Sequence, residues 1–142
     1  MIFIDTSALI AILADEDDSA VFGAAINDDR DPLTSPAVIL EASMRLSTML
    51  DLDPLIARAR VDAFLTKAGI EVIPIERKTG NVAVDAFARY GKGRHPARLN
   101  FADCLSYACA KAAGATLLYK GNDFARTDMG LGSSKVTDYF VS

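Results

Sequence analysis

Residues 1–13, MIFIDTSALIAIL, decide how the chain is read. Residues 1–4 are apolar, with Ile2, Phe3 and Ile4 in the pattern of a buried strand. Asp5 then places a carboxylate, followed by Thr6 and Ser7, before the apolar run resumes as Ala8, Leu9, Ile10, Ile12 and Leu13, a spacing that suits a core-facing helix. A strand that ends in an acid where a helix begins is the basic unit of an open α/β sheet, whose ligands bind beyond the carboxyl ends of the strands. Asp5 is therefore expected to face a cleft. The same carboxylate also suits an N-cap, with Thr6 or Ser7 as the alternative cap, so a functional case needs further acids.

The unit recurs along the chain. An acidic turn at residues 15–19 suits the start of a second helix by its dipole, with Val21, Phe22, Ala25 and Ile26 on the apolar side. Leu33-Thr34 reads as a second strand, and Ser35-Pro36 opens a helix with a cap and a proline at the first helical position. Within that helix Glu41 interrupts an apolar run, and a carboxylate among buried neighbours is costly unless paired or bound to a metal. Arg45, four residues on, is at salt-bridge spacing.

Residues 54–68 are expected to form an amphipathic helix with Leu55, Ile56, Ala59, Val61, Phe64 and Leu65 inward, closed by Gly69. Residues 70–75 read as a third strand and residues 76–90 as a helix with Val82, Val84, Phe87 and Ala88 inward. Residues 91–99, GKGRHPARL, are a flexible loop and the densest basic stretch. The loop leads into a helix that starts with Asn100 as cap, carries Asp103 in its first turn, and stops at Gly114. Residues 116–119 form a fourth strand running into the turn 120–124, KGNDF, which again places an acid just past a strand. Lys135-Val136 suits a short edge strand. Strand and helix alternate without antiparallel hairpins, the pattern of an α/β fold with a mainly parallel sheet covered on both faces.

At 142 residues the chain is the size of one domain, 1–142, able to bury a core without disulfides. No run of about eighteen uncharged apolar residues exists, so no membrane span is expected, and a cytoplasmic protein follows. Cys104 and Cys109, five apart in one helix, turn to different faces and are expected to be small core residues. With His95 as the single histidine there is no zinc set and little room for a Ser-His-Asp triad. The net charge of −4 argues against a protein that coats nucleic acid by bulk electrostatics, though not against a local basic strip.

Hard oxygen chemistry is what remains. Asp5 and Asp123 follow strands, Asp103 opens a helix, and Glu41 lies in the first two turns of a helix that follows a strand. In a parallel sheet with crossover helices these positions share one edge, so the four acids can meet in one pocket. Four carboxylates together repel unless a cation neutralises them, and an all-oxygen set selects Mg²⁺ or Mn²⁺. Such a cation can activate a water for attack on a phosphodiester. Thr6 and Ser7 could hydrogen-bond ligand waters, while Lys92, Arg94, Arg98 and Lys120 could hold flanking phosphates.

These residues resemble the PIN-domain ribonucleases, specifically the VapC toxins of type II toxin–antitoxin pairs. The matching stretches are IDTSALIAIL at 4–13, the embedded Glu41, YGKGRHPARLNFADCLSYA at 90–108 and LLYKGNDFARTD at 117–128. The resemblance implies a three-layer α/β/α PIN fold and Mg²⁺-dependent endonucleolytic cleavage of RNA, with Asp5, Glu41 and Asp103 as core acids and metal ligands. Relatives often carry an acid where this chain has Asn122; the fourth acid is therefore assigned to Asp123, and Asn122 is placed near the metal's waters. It also implies a homodimer inhibited by a small VapB-like antitoxin that covers the active-site groove. Two other readings are weighed: a PIN fold retained for binding only, and an aspartyl-phosphate phosphatase. The latter needs a second Asp two residues after Asp5, where this chain has Ser7.

Overall fold

Ile2–Ile4 forms β1, with all three side chains buried, because both of its faces are covered. In the computed structural model, which describes residues 1–132, β1 lies between two parallel neighbours. It pairs with β2 (Leu33–Thr34), Phe3 opposite Leu33, and with β4 (Thr116–Leu118), Ile2, Phe3 and Ile4 opposite Thr116, Leu117 and Leu118. β2 pairs in parallel with β3 (Glu71–Val72), giving the order β3-β2-β1-β4. The Lys135-Val136 strand lies outside the described residues.

Parallel neighbours require crossovers. Between β1 and β2 run α1 (Thr6–Leu13) and α2 (Ser19–Asp28); between β2 and β3, α3 (Pro36–Met49) and α4 (Pro54–Ala68); between β3 and β4, α5 (Arg77–Tyr90) and α6 (Phe101–Ala113). The chain moves outward from β1 to β3 and then returns past β1 to β4. Right-handed crossovers therefore put α1 to α4 on one face and α5 and α6 on the other. The reversal creates a switch point between β1 and β4, where an open α/β sheet leaves a crevice at its carboxyl edge.

Phe3, Ile4, Leu9, Phe22, Leu117 and Leu118 form the centre of the core, each fully buried. α6 contributes Ala108, Ala110 and the two cysteines, small enough for the helix to lie close to the sheet; both cysteines are buried and free. α4 and α6 both end in a glycine at φ 67° (Gly69 and Gly114), a backbone conformation that any side chain would strain. After β4 come a 3-10 turn (Phe124–Arg126) and α7 (Met129–Gly132). This segment is fastened to α6: the Tyr107 hydroxyl donates to Asp128 Oδ1 at 2.7 Å, and Lys111 Nζ to Asp128 Oδ2 at 2.7 Å.

Three expectations are corrected. β3 is two residues long instead of spanning 70–75, because Pro74 has no amide to donate and the strand is an exposed edge. On α4, Val61 and Leu65 are buried as expected, in line with Ala57, but Leu55 is 62% and Ile56 52% exposed; on α5, Val82 is half-buried as expected between the buried Thr79 and Ala86, but Val84 and Phe87 face solvent and Tyr90 is buried instead. Each apolar set is wider than one helical face, and packing against the neighbouring helices covers only part of it. The 91–99 loop is not a free loop but a closed one. Lys92 N donates to Leu99 O at 2.9 Å and Leu99 N to Tyr90 O at 3.0 Å, while Ala97 and Leu99 are fully buried. His95 is spent inside it, its Nδ1 accepting from Ala97 N at 3.0 Å and its ring edge-on to Tyr90.

The α4 correction is checked by urea melts of two leucine variants. Leu65→Ala should cost about 3 kcal/mol, the scale of a buried cavity, whereas Leu55→Ala should stay within about 0.5 kcal/mol of the parent.

Candidate active site

Asp5 is at once the N-cap of α1 and a wall of the crevice. Its Oδ2 accepts from Ser7 N at 3.0 Å and from Ser7 Oγ at 2.6 Å, and its backbone N donates to Leu118 O at 3.0 Å. The second carboxylate oxygen makes no hydrogen bond among the described residues, so capping consumes only half of the group. Ser7 Oγ also accepts from Lys120 N at 3.0 Å, which ties the end of β4 to the start of α1. Thr6 Oγ1 is buried, belongs to a residue on the cleft lining and has no hydrogen-bond partner among the described residues.

Asp103 is held in a similar way. Asn100 caps α6, its Oδ1 accepting from Asp103 N at 2.9 Å, while Asp103 Oδ2 accepts from Asn100 N at 3.0 Å. Glu41 is half-buried on α3, whose start is fixed by Ser35 and Pro36. Asp123 precedes the 3-10 turn, exposed, beside Phe124, which is buried edge-on against Tyr119.

The structure brings Asp5, Glu41, Asp103 and Asp123 to one cleft of about 360 Å³ at the β1/β4 switch point, together with Thr6 and Ser7. Asn122, one residue from Asp123, is exposed and does not line it. The charges feel one another: burial, and then the neighbouring Asp5, Asp123 and Glu41, push the Asp103 carboxyl from 3.8 up to about 7, against the Asn100 amide that favours its ionised form.

Four lining residues lie outside the site expected from the sequence: Asn100 and Phe124, placed there only as a helix cap and a turn residue, and Glu16 and Arg45. Glu16 was read as part of a helix-dipole cluster, but α2 is capped at Asp18 without a side-chain hydrogen bond, and Glu16 and Asp18 grip Lys120 Nζ at 3.3 and 3.2 Å. Lys120 thus lines the cleft with its charge already met. Arg45 was read as the ion-pair partner of Glu41; among the described residues no salt bridge within 4.0 Å joins them, and both line the cleft. The i, i+4 spacing was the available signal, since it places two side chains on one face whether or not they pair. Lys92, Arg94 and Arg98 are exposed and stand outside the lining, Arg94 donating from Nε to Ala88 O at 3.5 Å.

Whether these residues suit a cation can be judged from the donor set. Among the described residues no group of three or more His, Cys, Asp and Glu side chains is placed to hold a metal directly. Mg²⁺ does not require one, since it keeps several waters and uses one or two carboxylates. All-oxygen acids around a cleft, a carboxyl pushed up by burial and by its neighbours' charge, and a buried hydroxyl with no hydrogen-bond partner among the described residues fit a hydrated hard cation, with water on Thr6.

The Asp103 shift fixes the sign of a stability effect. The folded state holds this proton up to about pH 7 and the unfolded chain releases it near 3.8, so the stabilisation is complete below pH 3.8 and is lost as pH rises through 7. In metal-free buffer at pH 8, Asp103→Asn should therefore be more stable than the parent by about 2 kcal/mol, allowing for partial solvent screening. The difference should narrow in thermal melts taken towards pH 4.

The PIN domain family profile matches residues 2–129. VapC ribonuclease R02377 of Rhizobium meliloti is 41% identical, covering 92% of this chain and all of its own length, and ribonuclease VapC28 of Mycobacterium tuberculosis is 43% identical, covering 87% and 92%. A solved toxin–antitoxin complex from Klebsiella pneumoniae contains a chain of the same fold, with a TM-score of 0.68 at 16% identity over 91% of this chain and 94% of that one. The chain belongs to the PIN-domain family and, within it, to the VapC ribonucleases.

Proposed function

We propose that this protein is a divalent-metal-dependent endoribonuclease, with Mg²⁺ as its resident cation and Mn²⁺ as a substitute, acting as the toxin of a toxin–antitoxin pair. The observation that carries the reading is the gathering of Asp5, Glu41, Asp103 and Asp123 from four separate segments at one crevice. Names of relatives at 41% and 43% identity support the ribonuclease activity.

Asp5 and Asp103 would hold the cation, with Glu41 beside them and Asp123 at the rim. When bound, the cation would supply charge neutralisation at the phosphodiester and activation of a water for its hydrolysis. The chain's own residues do the positioning. Ser7 holds Asp5 through two bonds to one oxygen, and Asn100 locks Asp103 in its capping box, so neither carboxylate has to be ordered during turnover. Thr6 is assigned to an ordered water, and Lys92, Arg94 and Arg98, which stand outside the lining, to phosphates away from the cut; Asn122 lies off the lining and Lys120 is held by Glu16 and Asp18, so neither is given a ligand.

The partners follow the same reading: RNA as substrate, a second copy of the chain, and a VapB-like antitoxin over the groove. Support comes from the fold shared with a chain of the Klebsiella toxin–antitoxin complex. An apolar ledge of Leu40, Met44 and Phe101 beside the cleft is a surface a protein partner would cover. No helix among the described residues is long and apolar enough to cross a membrane.

The test is cleavage of a labelled RNA. Chelation of divalent ions should abolish cutting and added Mg²⁺ restore it, while Asp5→Asn and Asp103→Asn should each lower the rate by about a thousandfold, the scale of losing a group that acts on the transition state. Near-parental cutting by a folded Asp5→Asn protein would remove the assignment.

A further inference from the structure

The cleft confronts its substrate with a physical problem. It presents five carboxylates to a phosphodiester, of which only Glu16 has a cationic partner among the described residues, Lys120, in a chain whose net charge is −4, and a cation between the others neutralises only part of that repulsion. The basic loop does not solve it, since Lys92, Arg94 and Arg98 stand outside the lining. Lys120 is on the wall, but Glu16 and Asp18 already hold its ammonium. That leaves Arg45. It lines the cleft one turn beyond Glu41, is exposed, and among the described residues makes no ion pair within 4.0 Å and no side-chain hydrogen bond, although five acids share the same crevice. A guanidinium kept close to carboxylates and yet not bound by them retains all its donors for an incoming anion. Its planar fork matches two phosphate oxygens, which an ammonium cannot do.

We infer that Arg45 is the substrate-phosphate ligand of this cleft, taking the phosphodiester at or next to the cut. The inference rests on the ribonuclease reading and adds to it a residue in direct contact with RNA. Its place on a fourteen-residue helix fixed by Ser35 and Pro36 makes the contact a preformed one, set by the same turn that presents Glu41.

The test compares Arg45→Gln, Arg45→Lys and, as a surface control remote from the cleft, Arg60→Gln, each measured in Mg²⁺ for cleavage of a labelled single-stranded RNA. Binding is read by anisotropy in an Asp5→Asn background, where cutting is suppressed. Arg45→Gln should weaken binding about tenfold or more, the scale of one charge-assisted bond to phosphate. It should also flatten the dependence of log affinity on log salt by about 0.7, the share of one contact on a single strand. Arg45→Lys should recover the salt slope but only part of the cleavage rate, and Arg60→Gln should match the parent. Mg²⁺-induced thermal stabilisation should persist in Arg45→Gln, as it would not if the residue served the cation site or the fold. Unchanged RNA binding and salt slope in Arg45→Gln, with the parent active and Asp103→Asn inactive, overturns this inference alone. Loss of the Mg²⁺ response in Arg45→Gln together with Arg45→Lys overturns it in favour of a structural role. A parent protein that neither binds nor cuts RNA overturns both this inference and the ribonuclease reading.

Discussion

Like charges crowded into a partly buried cleft are the constraint on which the rest of this structure turns. Asp103 shows the cost directly, its carboxyl pushed to about 7 by burial and by Asp5, Asp123 and Glu41. Left to themselves such side chains would turn outward to water. The fold prevents this locally, with short bonds that cost little elsewhere: Ser7 to Asp5, Asn100 to Asp103 and back. Both devices are ordinary helix capping, so two acids that destabilise the cleft simultaneously stabilise the first turns of α1 and α6. Capping and cation binding need not compete, because a carboxylate has two oxygens.

Topology supplies the meeting place. The order β3-β2-β1-β4 leaves a switch point between β1 and β4, and the bond from Lys120 N to Ser7 Oγ closes the sheet edge there. Asp5 lies at the end of β1 and Asp123 past β4, while α3 and α6 deliver Glu41 and Asp103 from the opposite layers. The Asp128 contacts to Tyr107 and Lys111 then hold the segment after Asp123 against α6, the helix that bears Asp103. Two of the four acids are in this way positioned by one another's supporting elements.

Much of this was legible in the residues alone. The strand-acid-helix unit at 1–13, the Ser35-Pro36 start, the Asn100 cap and the closing glycines carry local rules that the structure obeys at those positions. How much of each apolar set would be buried was not legible on α4 and α5, because each set is wider than one helical face and its cover belongs to neighbouring helices. The 91–99 loop looked mobile from its glycines and charges, yet two backbone bonds and the burial of Ala97 and Leu99 close it. At the cleft, the acids could be found because each followed a strand or opened a helix. Arg45 and Glu16 escaped, since an i, i+4 spacing and an acidic turn have ordinary structural explanations that use the same residues.

The central claim is that these carboxylates form a site for a hard divalent cation. Calorimetric titration of Mg²⁺ at pH 7 in buffers of different ionisation enthalpy tests it most directly, because a cation entering beside Asp103 must displace the proton that burial and its neighbours' charge retain there. The account predicts saturable binding with release of a fraction of a proton, and loss of both in Asp103→Asn. Absence of Mg²⁺ binding by the parent, or binding of equal strength and proton release in the variant, would contradict it.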